Sequence, residues 1–185
     1  MGRLVYSAIC SLDGYVADEK GNFDWAAPDQ EVHEFVNDLE RGIGTYLYGR
    51  RMYQVMKEWQ TMDVAEAPPF VQEYADIWKS ADKIVYSRSL EEFSTPHTRL
   101  ERDLDPAEVE RMKAASEADL SVGGATLAAE AFRAGIVDDL HLFFVPHLVG
   151  GGTRALPNGV RRSLQLESED RFANGTVHLH YRDAE

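Results

Sequence analysis

The chain has 185 residues, 44% hydrophobic and 28% charged, the make-up of a folded, water-facing protein rather than a disordered one. Lys and Arg number 19 against 32 Asp and Glu, a formal charge of −13 that repels nucleic acid and anionic membrane unless basic residues gather locally. No apolar run reaches the roughly 18 residues of a membrane span, no secretory cleavage pattern is present, and the lone Cys10 has no internal partner; one domain over 1–185 in a reducing cytoplasm is expected, with a small molecule as its partner rather than nucleic acid or membrane.

Residues 3–10 read as a strand by their β-branched and aromatic content. Ser11-Leu12-Asp13-Gly14 reads as a bend, Tyr15-Val16-Ala17 resumes apolar character, and a polar loop runs to Trp25. Pro28 suits the first turn of a helix whose Val32, Phe35, Val36 and Leu39 share a face, with Gly42 and Gly44 ending it. Thr45 to Tyr48 is a short strand closed by Gly49, and Arg50 to Trp59 looks helical. Pro68-Pro69 opens a helix with Phe70, Tyr74, Ile77 and Trp78 on one stripe, and Lys83 to Ser87 follows as a buried strand. Asp105-Pro106-Ala107-Glu108 combines an N-cap, a proline at the first helical position and an acid three residues after the cap. Leu120 to Val122 is a strand, Gly123-Gly124 a turn, and Ala125 to Ala134 a helix capped by Gly135. Leu140 to Val145 is another strand, and Asn174-Gly175 marks a hairpin with arms at Leu164 to Arg171 and Thr176 to Tyr181. Alternating strands and helices followed by a hairpin predict an α/β fold, a mostly parallel central sheet with an antiparallel C-terminal edge.

Three turns carry residues suited to phosphate. Tyr48-Gly49-Arg50-Arg51 puts two guanidinium forks at a helix start, where backbone N–H groups and the helix dipole favour an anion; a solvated or ion-paired arginine couple is the plainer alternative. Ser87-Arg88 leaves a strand end, where parallel sheets bind ligands, although an ordinary strand exit explains it as well. Val122-Gly123-Gly124-Ala125-Thr126 is strand, glycine pair and helix, open to a pyrophosphate or simply a tight turn. Gly150-Gly151-Gly152-Thr153 lacks the Lys of a Walker loop. Asp13, Asp29 and Glu31 are the carboxylates nearest Trp25 and could move a proton, or serve only as turn and first-turn acids. His141, His147, His178 and His180 show no convergence by spacing, so no metal site is expected, and Cys10 reads as a small core hydrophobe.

Taken in order, Ser11-Leu12-Asp13-Gly14, Gly21 with Trp25, Tyr48-Gly49-Arg50-Arg51-Met52-Tyr53, Lys83 to Ser87, Val122-Gly123-Gly124-Ala125 and Gly150-Gly151-Gly152-Thr153 make the chain resemble the dihydrofolate reductase superfamily. Within it, the chain looks most like stand-alone relatives of the C-terminal reductase domain of the bifunctional riboflavin-biosynthesis protein. The resemblance implies a dihydrofolate reductase-like three-layer fold and an NADPH-dependent reductase. Gly49, Arg50 and Arg51 would grip cofactor phosphates, with Ser87 and Arg88 near the adenosine 2′-phosphate. Gly123 and Gly124 would form a cis diglycine after Val122, with Ala125, Thr126 and Leu127 beside the pyrophosphate. Ala8 and Ile9 would line the nicotinamide pocket, and Val16 and Ala17 the mobile loop beside it. Trp25, Phe35 and Trp59 would wall a flat substrate, and Asp13 or Glu31 would be the catalytic acid; counting from Trp25 puts Gln30 at the family's acidic position, counting back from Phe35 puts Glu31 there. A homodimer paired through a sheet edge is also implied, with Leu142-Phe143-Phe144-Val145 as its apolar strand.

These readings leave three classes of function. One is hydride transfer from NADPH to a small heterocycle, a pyrimidine ribosylamine or a pterin. The second is a non-catalytic nucleotide- or pterin-binding module on the same fold. The third is a metal-dependent hydrolase on His141, His178 and His180, the weakest by spacing.

Overall fold

In the computed structural model, which describes residues 1–184, the chain runs β1 (Leu4–Ser11), β2 (Tyr15–Ala17), α1 (Gln30–Glu40), β3 (Ile43–Gly49), α2 (Arg50–Met56), α3 (Glu58–Thr61), α4 (Pro69–Ser80), β4 (Asp82–Tyr86), β5 (Thr98–Glu101), α5 (Pro106–Ala115), β6 (Asp119–Gly123), α6 (Ala125–Ala134), β7 (Asp139–Val145), β8 (Thr153–Arg154), β9 (Leu164–Arg171) and β10 (Val177–Asp183). Eight of these strands form one sheet in the order β5-β4-β3-β6-β1-β7-β10-β9. All neighbours from β5 to β7 are parallel, and β10 and β9 are antiparallel, as the alternating pattern and the Asn174-Gly175 turn predict. This is the three-layer dihydrofolate reductase-like arrangement. On one face Val109 of α5 and Leu127, Ala128, Ala131 and Phe132 of α6 pack on Leu4, Tyr6, Leu47, Leu120 and Val122. On the other, Trp78 of α4 meets Tyr46, Tyr48 and Val85, and Val32 of α1 meets Phe143.

The differences from the expected elements have local causes. Helix α1 begins at Gln30, not at Pro28, because the Asp29 side chain accepts the Val32 N–H at 3.1 Å and so acts as N-cap. The helix expected over Arg50 to Trp59 is split into α2 and α3 around Lys57. Strand β5 is half exposed and mixed in polarity, so no alternation announces it. The apolar run Leu142 to Val145 lies in β7, an interior strand flanked by β1 and β10, not a sheet edge. Its composition follows from burial on both faces, since Leu142 packs with the α6 layer and Phe143 with the α1 layer. Among the described residues no helix is long and apolar enough to cross a membrane.

Candidate functional site

Strand register decides where the suspected phosphate residues meet. Tyr48 lies beside Gly123, and Gly49 beside Tyr86, so the turns leaving β4, β3 and β6 stand next to one another at the carboxyl end of the sheet. Strand β1 continues that rim beyond its pairing of Tyr6 with Val122, bringing Ala8 and Ile9, both half-buried, alongside. Val16 and Ala17 of β2 follow, tied to β8 through Tyr15–Arg154 and Ala17–Thr153. Arg50, Ser87 and Gly124 therefore share one rim.

The rim is built with bare backbone. Gly124 holds φ +93°, a conformation side chains avoid, and α6 starts there without a side-chain cap. The first N–H groups of that helix, on Ala125, Thr126 and Leu127, have no intrahelical acceptor. A Cβ on Gly123 would lie 2.6 Å from the Tyr48 ring, so only glycine fits between strand and ring. The Gly123–Gly124 peptide is trans, which corrects the cis bond implied by the resemblance; the positive φ of Gly124 makes the turn. Helix α2 likewise starts at Gly49 without a side-chain cap. Arg50 Nη1 donates to Ser89 Oγ at 2.8 Å, and Arg51 is exposed. Among the described residues neither arginine pairs with a carboxylate, whereas Arg88 is held by Asp103 at 2.6 Å. The Ser87 hydroxyl accepts the Leu90 N–H at 3.0 Å and shapes its own loop. These observations fit a dinucleotide's phosphates at Gly49, Arg50, Arg51 and the start of α6, and leave Arg88 occupied.

The residues expected on the substrate side divide. Asp13 is on the rim, where its carboxylate accepts the N–H groups of Val149 at 3.1 Å and Gly150 at 2.7 Å. The Ser11 hydroxyl, then these amides, pull its carboxyl down to about 2. At neutral pH Asp13 is an ionised clamp with no proton to give. Glu31 sits in the first turn of α1 and accepts the Ala173 N–H at 2.9 Å, tying the helix to the hairpin turn. Gln30 donates to Glu34 at 2.8 Å. Phe35 packs into an aromatic cluster with Phe172 at 5.3 Å and His178 at 4.8 Å between ring centres, and Trp59 packs on Tyr74 at 4.8 Å. Trp25 alone of the three aromatics stays at the rim, stacked on His147 at 5.6 Å and 5°. Its buried Nε1 has no protein partner among the described residues.

His147, offered by its sequence context only as a metal ligand, lies on the rim; its place just after β7, at the carboxyl end of a strand, is the signal for that position. The glycine run also gains a reason: Gly152, at φ +127°, approaches Ala17 so closely that a Cβ would fall 2.1 Å from its carbonyl oxygen. Cys10 is buried, and burial pushes its thiol up to about 12, consistent with a core role. Away from the rim, three of the histidines converge after all: across β7 and β10 His141 stacks on His180 and meets His178 edge to edge. Spacing missed this because the pairing of two strands 37 residues apart places them together.

Similarity to known proteins agrees with the geometry. The family model of the RibD C-terminal domain matches residues 3–178. A Bacillus subtilis (strain 168) protein named uncharacterized protein YyaP is 25% identical over 183 residues, covering 97% of this chain and 94% of its own. A Shewanella sp. PV-4 structure named for riboflavin biosynthesis superposes with TM-score 0.77 at 19% identity, over 100% of both chains. A Thermotoga maritima diaminohydroxyphosphoribosylaminopyrimidine deaminase/5-amino-6-(5-phosphoribosylamino)uracil reductase gives 0.68 at 15% identity, over 99% of this chain and 57% of that one. A Corynebacterium diphtheriae pyrimidine reductase-like protein gives 0.67 at 15% identity, over 100% and 92%. With the match spanning nearly the whole chain and the sheet carrying the same layers, the protein belongs to the RibD C-terminal domain family.

Proposed function

We propose that this protein is an NADPH-dependent reductase acting on a small heterocyclic substrate of the pyrimidine-ribosylamine or pterin kind. The observation that carries the reading is the uncapped start of α6 at Gly124 next to Arg50 and Arg51, which have no carboxylate partner among the described residues. Backbone N–H groups at α6 would bind pyrophosphate oxygens, and Arg50 and Arg51 would supply the charge that a protein at −13 otherwise lacks. NADPH supplies a hydride from its nicotinamide ring. Ala8 and Ile9 would bed that ring against β1, with Val16 and Ala17 shielding it from water, and Trp25 would offer a flat face to the substrate.

The accompanying proton comes from water in this reading. Asp13 is ionised and spent on the Val149–Gly150 loop, and Glu31 is spent on Ala173. The same observation favours the second reading, a nucleotide- or pterin-binding module without turnover. A screen of pyrimidine, pterin and quinone substrates, followed at the NADPH absorbance band, separates the two. Sustained oxidation of NADPH with any of them supports the reductase. Tight NADPH binding with no turnover selects the binding module, and absence of NADPH binding at low salt removes both.

A further inference from the structure

We propose that Asp139, His141 and His180 form a binding site for a divalent transition-metal ion of the zinc class, a structural tie between β7 and β10. One ligand-type atom from each lies within 4.8 Å of the other two, and all three residues are buried or nearly so. They stand on rigid strands: His141 pairs directly with His180, and Asp139 with Arg182. Two imidazoles and a carboxylate are a donor set that zinc accepts, with a water completing four-coordination.

Partners behind His141 already orient it. His178 Nδ1 lies 3.1 Å from Asp170 Oδ2, and His141 Nδ1 lies 2.9 Å from His178 Nε2. A carboxylate can only accept, so the hydrogen-bond chain assigns the proton of neutral His178 to Nδ1 and that of His141 to Nδ1 as well. That leaves the lone pair on His141 Nε2, the form that binds metal, held by a histidine–carboxylate relay behind it.

Two features set the expected affinity. His180 Nε2–H donates to Asp139 Oδ1 at 2.6 Å, and the His141 and His180 rings stack at 4.0 Å and 12°. An ion with bonds of about 2 Å needs its donors about 3.3 Å apart, so it replaces that proton and the His180 ring turns toward it. Asp139 also carries Arg182 Nε at 2.8 Å and Arg3 Nη1 at 3.4 Å, with Glu167 drawing Arg182 away at 3.3 Å. Two guanidiniums beside the third ligand oppose a dication. Binding should therefore be moderate in wild type and tighter when Arg182 loses its charge. The site lies where β7 begins, opposite the glycine rim, so it does not depend on the reductase reading.

The test is titration of chelator-stripped full-length protein with zinc chloride by calorimetry, alongside its melting temperature. Expected are one zinc per chain in the micromolar range, a rise in melting temperature, roughly tenfold tighter binding in Arg182→Gln, and loss of the site in His141→Gln and His180→Gln. His97→Gln, on a separate exposed histidine, should bind as wild type. Should the core variants fail to fold, the visible spectrum of the cobalt(II)-loaded wild type and Arg182→Gln decides: a tetrahedral band in both supports the site. No zinc uptake by either protein, an octahedral cobalt spectrum, or equal affinity in folded His141→Gln would overturn it and leave only a hydrogen-bonded histidine chain.

Discussion

Two pairs of helices in this molecule start in opposite ways. Helices α1 and α5 are closed by aspartate: Asp29 takes the Val32 N–H, and Asp105 takes the Ala107 N–H. Helices α2 and α6 begin at Gly49 and Gly124 with no side chain over their amides. Both solutions satisfy the fold, but only the second leaves donors for something outside the protein. The same contrast separates two carboxylates. Asp13 on the rim is drawn down to about 2 by the Ser11 hydroxyl and two amides, whereas burial pushes Glu40, inside the α1 layer, up to about 7. Burial without a charged partner disfavours the ionised form at Glu40; hydrogen bonds on the rim hold it at Asp13.

The largest test of this contrast is Gly124→Val. A β-branched residue cannot hold φ +93°, so the α6 amides should turn away and NADPH affinity, read by tryptophan fluorescence, should fall about 100-fold or more. Unchanged affinity would make the bare turn a matter of folding alone. Next is Glu40→Gln. Because the folded carboxyl titrates near 7 and the unfolded one near 4.5, wild-type stability should fall as pH rises from about 4.5 to 7 and level off above; the amide should abolish that slope and gain up to about 3 kcal/mol at pH 8 in urea melts. A parallel slope in the variant would show that Glu40 does not titrate on folding.

Arg50→Ala and Arg51→Ala should each weaken NADPH about tenfold. A residue that touches the 2′-phosphate will spare NADH, and one on the pyrophosphate will weaken both cofactors equally. Asp29→Ala and Asp105→Ala should each lose about 1 kcal/mol of stability with NADPH affinity intact; a loss of affinity instead would erase the distinction between capped and bare helices. Smallest is Asp13→Asn. The depressed pKa means its contribution is present above the ordinary carboxylate range and fades as pH drops toward about 2, so the variant should melt with a slightly flatter acid limb.

Much of the rim was legible in the sequence because its signals are local. Strand–glycine–helix passages at Gly49 and Gly124 predict their turns, and the register places them as neighbours. The substrate side was not legible. Phe35 reads as a pocket wall or as core with equal ease, since both need an aromatic on an apolar helix face, and only Phe143, Phe172 and His178 around it settle the matter. Asp13 reads as an acid until the amides of Val149 and Gly150, far along the chain, take its lone pairs.

By itself the sequence determined the alternation of strands and helices, the glycine turns, the Asp105 cap and the C-terminal hairpin, all of which depend on side chains within a few residues of one another. Tertiary structure decided which carboxylates are already engaged, which aromatic stays at the rim and that three histidines meet. Those outcomes depend on strand pairing across long stretches of chain, where a neighbour's lone pair or ring, not the residue's own type, sets what it can do.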